Sequence, residues 1–235
     1  MKEHRSNLYS ERKVIRKMPS IGIIGGTDGP FGAAFLGMMI IAYLLGNISP
    51  STLLAKAKGI DIKSEGKVHG IDIRNYGSGN AGTTNALRVM GKKAGAITLV
   101  VDVLKGVVAV LLGNLVCGHL CAMFCVLAAM LGHIWPVFYR FKGGKGVATA
   151  FGALLGLNPL LALAALAIVI IVVLISKRMS VGSIVVALLF PVLCKFLEPD
   201  FVLLGSMLAI LIIVKHRSNI ARLFKGEEPK MSIFK

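Results

Sequence analysis

AGAITLVVDVLKGVVAVLLGNLV, residues 94–116, is an apolar run interrupted by only two charges, Asp102 and Lys105. At 1.5 Å per residue a helix of this length reaches about 35 Å, enough to cross a hydrocarbon core of about 30 Å. The two charges stand at i and i+3, so they share a helix face and can neutralise each other inside a bundle. Such a run reads as a membrane span.

The same reading extends in both directions. Residues 31–55 and 117–139 make spans before and after it, and apolar segments follow at about 147–157, 159–175, 181–197 and 201–214. They are broken by Asn158-Pro159, Ser176-Lys-Arg-Met-Ser180 and Glu198-Pro-Asp200. Two are short, so hydropathy supports five to seven spans. With 55% hydrophobic and only 16% charged residues, the chain is expected to be an all-α, polytopic transmembrane bundle of about seven spans. Residues 1–30 are expected to form an N-terminal extension, with a basic surface or disordered tail over 1–17, and residues 31–235 the integral-membrane domain.

A net charge of +16 argues for nucleic acid only if the cations line a basic helix with interleaved aromatics, and here they sit in patches between apolar runs. Lys and Arg concentrate in 56–93, 140–146, 176–180 and the tail from 215, whereas the loops around Asn114, Asn158 and 198–200 hold none. With seven spans the basic loops fall on one side, which the positive-inside rule makes cytoplasmic. Six cations in residues 1–17 oppose that orientation. Cys117, Cys121 and Cys125 recur every fourth residue within an apolar run and, with Cys194, read as small buried hydrophobes.

Three polar motifs lie on the basic side. The first, Gly77-Ser-Gly-Asn-Ala-Gly-Thr-Thr-Asn85, is a glycine-rich turn leading into a helix start, with Arg74 before it and Arg88, Lys92 and Lys93 after it. It reads as a backbone cradle for an anion, phosphate above all. The second runs from Gly132-His133 to Lys142-Gly143-Gly144-Lys145, where glycine lets the backbone approach a ligand. The third is His216-Arg-Ser-Asn219 with Arg222; His216 and Asn219 share a helix face. Together they suit a phosphorylated substrate, since Lys and Arg bind phosphate by charge and Arg also by its fork.

Several competing motifs fall away. Gly77-x-Gly79-x-x-Gly82 matches a dinucleotide fingerprint, but no βαβ alternation follows and Asp102 lies inside an apolar span. There is no Gly-x-x-x-x-Gly-Lys-Ser/Thr, no His-x-x-x-x-Asp of the CoA- and carrier-protein-dependent glycerophosphate acyltransferases, and no His, Cys and acid cluster with metal spacing. Ile21-Gly-Ile-Ile-Gly-Gly-Thr-Asp-Gly-Pro30 resembles a short segment of the β subunits of sodium-pumping decarboxylases, in which the aspartate belongs to an ion path. With Asp28 and Asp102 it motivates an alternative, an ion-coupled membrane transporter. Gathering of the polar motifs at one face, away from the midplane where transport sites lie, argues against it.

Over residues 40–230 the chain resembles the PlsY family, the membrane acyl-phosphate:glycerol-3-phosphate acyltransferases of bacteria. The resemblance is carried by Gly77 to Asn85, by Gly132-His-Ile-Trp-Pro-Val-Phe138 running into Phe141-Lys-Gly-Gly-Lys-Gly-Val-Ala-Thr149, and by His216-Arg-Ser-Asn219 with Arg222, Gly226 and Glu228. The chain departs from the family in its N-terminal residues, in an insertion near 63–70, and in Thr83, where alanine is usual. The resemblance implies transfer of a fatty acyl group from acyl phosphate to the sn-1 hydroxyl of glycerol 3-phosphate, without cofactor or metal. Lysophosphatidate and phosphate are the implied products. It implies a multi-pass protein of the bacterial cell membrane with its site facing the cytoplasm, supplied by a soluble acyl-phosphate-forming enzyme. Ser78, Arg88, Lys145, His216 and Asn219 are then the catalytic residues. Gly77, Gly79, Asn80, Gly82, Thr84, Asn85, His133, Lys142, Gly143, Gly144 and Arg222 would bind substrate.

Overall fold

The computed structural model describes residues 32–58, 60–62, 66–68 and 72–231. The expectations for residues 1–30, including the decarboxylase-like string, lie outside these residues, as does most of the 63–70 insertion. The described residues form a helical bundle, apart from a ribbon in which β1 (Ile60–Ile62) pairs antiparallel with β2 (Gly66–Val68).

The first span is broken. α1 (Ala33–Gly46) stops at Asn47, and α2 (Pro50–Lys58) restarts at a bend of 40°. Pro50 has no N–H to give to a continuing helix, so the break falls just before it and leaves the Ile48 carbonyl free of the helical ladder. α3 (Thr83–Cys117) is longer than the apolar run because residues 83–90 add two turns, and Gly91, at φ 83°, kinks the helix between the two parts. α4 (His119–Ile134) runs back and gives way at Trp135-Pro136 to a 3-10 turn, Val137–Tyr139. α5 (Val147–Leu157), α6 (Pro159–Ser176), α7 (Met179–Leu197) and α8 (Val202–Lys215) follow, and α9 (Arg217–Phe224) turns off α8 by 54°.

Among the described residues four helices are long and apolar enough to cross a membrane, or up to six if each bent pair is one span. The seventh segment expected from sequence is α5, whose 11 residues reach only about 16 Å. Outward faces are apolar, with Leu203 74% and Ile175 78% exposed, as lipid contact requires.

Inside, small residues let the helices approach closely. A Cβ on Gly46 would meet the Ala129 carbonyl oxygen at 2.2 Å, and one on Gly132 the Tyr43 oxygen at 2.0 Å, so α1 and α4 touch backbone to backbone. Gly106 and Gly152 do the same for α3 and α5. Cys121, Cys125 and Cys194 are buried among them, as expected of small hydrophobes, whereas Cys117 ends α3, apart from Cys121 and Cys125 on α4, and is only partly buried. Because the Val103 carbonyl that Gly152 faces at 2.0 Å is backbone, no side chain can swing aside. Gly152→Ala is therefore expected to destabilise the bundle by about 3 kcal/mol, the upper range of overpacking. Thermal unfolding of the purified variant in detergent checks this, and an unchanged midpoint would contradict it.

Candidate active site

The three polar motifs meet at one end of the bundle. Arg74 holds the first to the second: its Nη1 donates to the Tyr139 and Lys142 carbonyls at 2.8 and 2.7 Å, while Asp72 pairs with its Nε and Nη2. Lys145 Nζ donates to Asn219 Oδ1 and so joins the second motif to the third. Arg178 Nε donates to the Glu228 carbonyl at 2.9 Å, and Met231 N–H to the Lys177 carbonyl at 2.9 Å, drawing the C-terminal segment across the α6–α7 turn. At the other end His119, Asn158 and Glu198 are joined by hydrogen bonds.

A cavity of about 480 Å³ opens among these motifs. Ser78, Asn80, Gly82, Thr84, Arg88, His133, Lys145, His216, Asn219 and Arg222 line it, as does Thr83, whose hydroxyl is buried without a hydrogen-bond partner among the described residues. Asp102, Ser180, Ser183 and Glu228 also reach it, and most of the remaining wall is apolar, including Leu99, Phe151, Leu166, Val169, Phe190 and Leu208. One end of this cavity therefore suits an anion and the rest suits hydrocarbon.

The structure corrects how the glycine-rich residues act. Gly77 and Gly79 have φ of 63° and 69°, the left-handed region open to glycine, and a Cβ on Gly77 would meet Asn85 Oδ1 at 2.3 Å. The Ser78 amide donates to Asn85 Oδ1 at 2.8 Å and the Gly79 amide to the Tyr76 carbonyl at 3.1 Å, so neither is free for a ligand. Asn85 also donates to the Tyr76 and Ile73 carbonyls, at 3.0 and 3.3 Å; this fully buried side chain shapes the loop and does not line the cavity. Amides that an anion can use include those of Thr83 and Thr84, the first residues of α3, where a helix leaves its N–H groups unpaired.

Gly143 and Gly144 differ from expectation in the same way. Their amides donate to the Ile134 and His133 carbonyls at 3.1 and 3.0 Å. A Cβ would meet the His133 oxygen at 2.0 Å from Gly143, and His133 Nε2 at 2.1 Å from Gly144. These glycines allow the loop to fold flat onto the end of α4, which carries Lys145 into the cavity. Lys142 is exposed and does not line the cavity; its carbonyl serves Arg74.

Burial pushes Lys145 down to about 8, with Arg222, Arg88 and Lys215 adding to the shift and Glu228 opposing it. His216 is buried and its Nδ1 lies 2.8 Å from the Ile212 carbonyl, an acceptor only, so Nδ1 carries the proton. Nε2 is then the nitrogen that can accept one.

Sequence reasoning did not select Ser180 or Glu228 as site residues. Glu228 Oε1 accepts from Ser180 Oγ and Asn219 Nδ2, both at 2.7 Å, and Oε2 accepts from Arg222 Nε at 2.7 Å. Burial alone would raise the Glu228 carboxyl; these three donors and the Arg222 charge bring it below the usual glutamate value. The available signal was an acid within an otherwise basic C-terminal tail and a serine in a basic inter-helix turn at the same end.

Fold and site define an integral-membrane protein whose cavity fits an acidic amphiphile. The glycerol-3-phosphate acyltransferase family model matches residues 65–226. The "Glycerol-3-phosphate acyltransferase" of Thermoanaerobacter pseudethanolicus is 45% identical over 194 residues, 82% of this chain and 93% of that one. That of Clostridioides difficile is 43% identical over 209 residues, 84% and 96% of the two chains. Among solved structures, PlsY (YgiH), an integral membrane glycerol 3-phosphate acyltransferase, matches in its glycerol 3-phosphate form with a TM-score of 0.76 and 35% identity, over 86% of this chain and 98% of that one. Its lysophosphatidic acid form matches with a TM-score of 0.72 and 33% identity, over 87% and 100% of the two chains. The chain belongs to the glycerol-3-phosphate acyltransferase family and is a membrane acyltransferase.

Proposed function

We propose that this acyltransferase moves a fatty acyl group from acyl phosphate to the sn-1 hydroxyl of glycerol 3-phosphate, releasing lysophosphatidate and phosphate. The observation that carries this reading is the cavity itself: an apolar shaft for the acyl chain ends among Ser78, Arg88, Lys145, His216 and Arg222, where two phosphates need cations. A mixed anhydride is already activated, so the protein has chiefly to position two anions and stabilise developing charge. The glycerol oxygen attacks the acyl carbon and the bond from that carbon to the phosphate oxygen breaks. The hydroxyl proton leaves with the phosphate, directly or by way of His216 Nε2. Arg88 and Lys145 neutralise the departing phosphate, and the α3 N-terminus adds its amides and partial charge. Asn219, held between Lys145 and Glu228, keeps the ammonium in place until substrate arrives.

The test uses purified protein in lipid with labelled glycerol 3-phosphate. Lysophosphatidate is expected from acyl phosphate but not from acyl-CoA, with no effect of chelators. Equal activity with acyl-CoA, or loss with EDTA that added metal restores, would refute the reading.

We place the cavity mouth on the cytoplasmic side of a bacterial cell membrane, where a soluble enzyme can deliver acyl phosphate. This rests on the Lys/Arg asymmetry of the loops and on the meeting of all three basic motifs at one end. In a cysteine-free background, single cysteines at Ser78, Lys142 and Ser218 are expected to react with an impermeant thiol reagent only from inside, and one at Asp200 only from outside. Labelling of Ser78 and Ser218 from opposite sides would defeat the assignment.

A further inference from the structure

Three titratable side chains sit together inside the bundle, and two of them, Asp102 and His133, line the cavity. Lys105 Nζ lies 2.6 Å from the Ile48 carbonyl oxygen, 2.7 Å from Asp102 Oδ1 and 2.9 Å from His133 Nδ1. Their side chains are 2%, 1% and 6% exposed for Lys105, Asp102 and His133, so none can rely on bulk water. The Asp102 contact is an ion pair whose angle is poor for a hydrogen bond, and His133 Nδ1 stands 3.4 Å from the same oxygen.

This arrangement determines the histidine tautomer. A neutral Lys105 amine would leave the Asp102 carboxylate as an uncompensated buried charge, which is strongly unfavourable. The ammonium has three N–H groups for three surrounding acceptors and no lone pair, so His133 Nδ1 must accept. A neutral ring then carries its proton on Nε2. No hydrogen bond to Nε2 is found among the described residues, although His133 lines the cavity and Nε2 lies directly against Gly144, one residue before Lys145. An unmade buried donor is costly. Of the charged groups that line the cavity, Lys145, Arg88 and Arg222 are themselves donors, Glu228 is already held by Ser180, Asn219 and Arg222, and Asp102 lies on the Nδ1 side of the ring. The acceptor it lacks is an anionic oxygen brought by the substrate.

We infer that the Lys105–Asp102 pair holds His133 as its Nε2–H tautomer, so that His133 donates a hydrogen bond to an anionic oxygen of the bound substrate, on phosphate or on the developing oxyanion. His133 is then a catalytic residue, and Lys105 and Asp102 are positioning residues acting through it. This rests on the acyl-transfer reading above and goes beyond it by fixing which ring atom of His133 donates and by giving Lys105 and Asp102 a positioning role.

The experiment begins with the parent: if it fails to turn over acyl phosphate and glycerol 3-phosphate, the proposed function fails before this inference is reached. Given an active parent, His133→Phe should lower kcat/KM about 10²-fold, as loss of one oxyanion donor does. His133→Gln, whose amide N–H can reach the Nε2 position, should recover much of that activity, and His133→Asn, whose shorter side chain mimics Nδ1, should not. A fall mainly in kcat places the bond on the oxyanion, and a rise mainly in KM places it on the phosphate; either supports the inference. In the 15N-histidine spectrum of the parent, the ring nitrogen of His133 that carries the proton should be Nε2, and inorganic phosphate should shift its resonance. Asp102→Leu/Lys105→Met, which removes both charges together, should mix the tautomers. A proton on Nδ1 in the parent overturns the inference whether or not any variant folds, and so does equal activity of folded Phe and Gln variants.

Discussion

Lys145→Ala lowers kcat by about 10²- to 10³-fold, or about 3 to 4 kcal/mol, and raises KM far less. That is the expected result if the ammonium stabilises the phosphate as the acyl carbon to oxygen bond breaks, because such a contact is stronger in the transition state than in the ground state. Lys145→Arg retains the charge without the compact geometry and should recover activity only in part. The buried position adds a signature in pH. With the free ammonium held down to about 8, kcat/KM should fall as pH rises through that value, because the charged form is the active one. Lys145→Arg should lose this decline, since arginine keeps its proton. Lys177 lies at the same end but is exposed, and its φ of 57° tolerates asparagine, so Lys177→Asn is the control. Pre-steady-state and steady-state rates from pH 6 to 10 provide the measurement. If Lys145→Ala and Lys177→Asn both turn over like the parent, Lys145 is only a topological anchor.

Glu228→Ala has the second large effect expected here, and it acts on geometry more than on charge. Removing the carboxylate leaves Ser180 Oγ, Asn219 Nδ2 and Arg222 Nε without their acceptor. An unsatisfied buried donor costs about 1 to 3 kcal/mol. Asn219 then no longer bridges to Lys145, so activity should fall at least as far as in Lys145→Ala. Glu228→Gln restores one acceptor but turns an amide donor toward another donor, so stability should recover more than activity. Since the folded carboxyl lies below its ordinary value of 4.5, its contribution is present above that pH and disappears as pH falls through the lower, folded value. Thermal unfolding in detergent, read beside kcat/KM, separates the two effects. A fully active Glu228→Ala variant would show that the C-terminal segment only rests on the site.

The membrane character, the helical class and the gathering of three polar motifs in basic surroundings were legible in the residues alone. Each depends on local composition: an apolar run long enough for the bilayer, a cation count per loop, or a glycine beside a lysine. Where spans break was less legible. Asn47 to Pro50 and Gly91 interrupt apolar or helical runs through backbone geometry, which a hydropathy window averages away.

What the tertiary structure decided is which polar groups remain free. From sequence, Gly77, Gly79, Gly143 and Gly144 read as open backbone donors. In the fold, the Gly79, Gly143 and Gly144 amides bond to carbonyls of Tyr76, Ile134 and His133, and the role of anion donor passes to the start of α3. Asp102 and Lys105 were paired by their spacing, but His133 joins them only because α4 packs against α3 and Ile48 lies at the break after α1. Ser180 and Glu228 are 48 residues apart and meet through one hydrogen bond. Spacing along a chain shows which groups share a helix face; whether a donor is already satisfied depends on residues far away in sequence, and only the packed bundle brings those together.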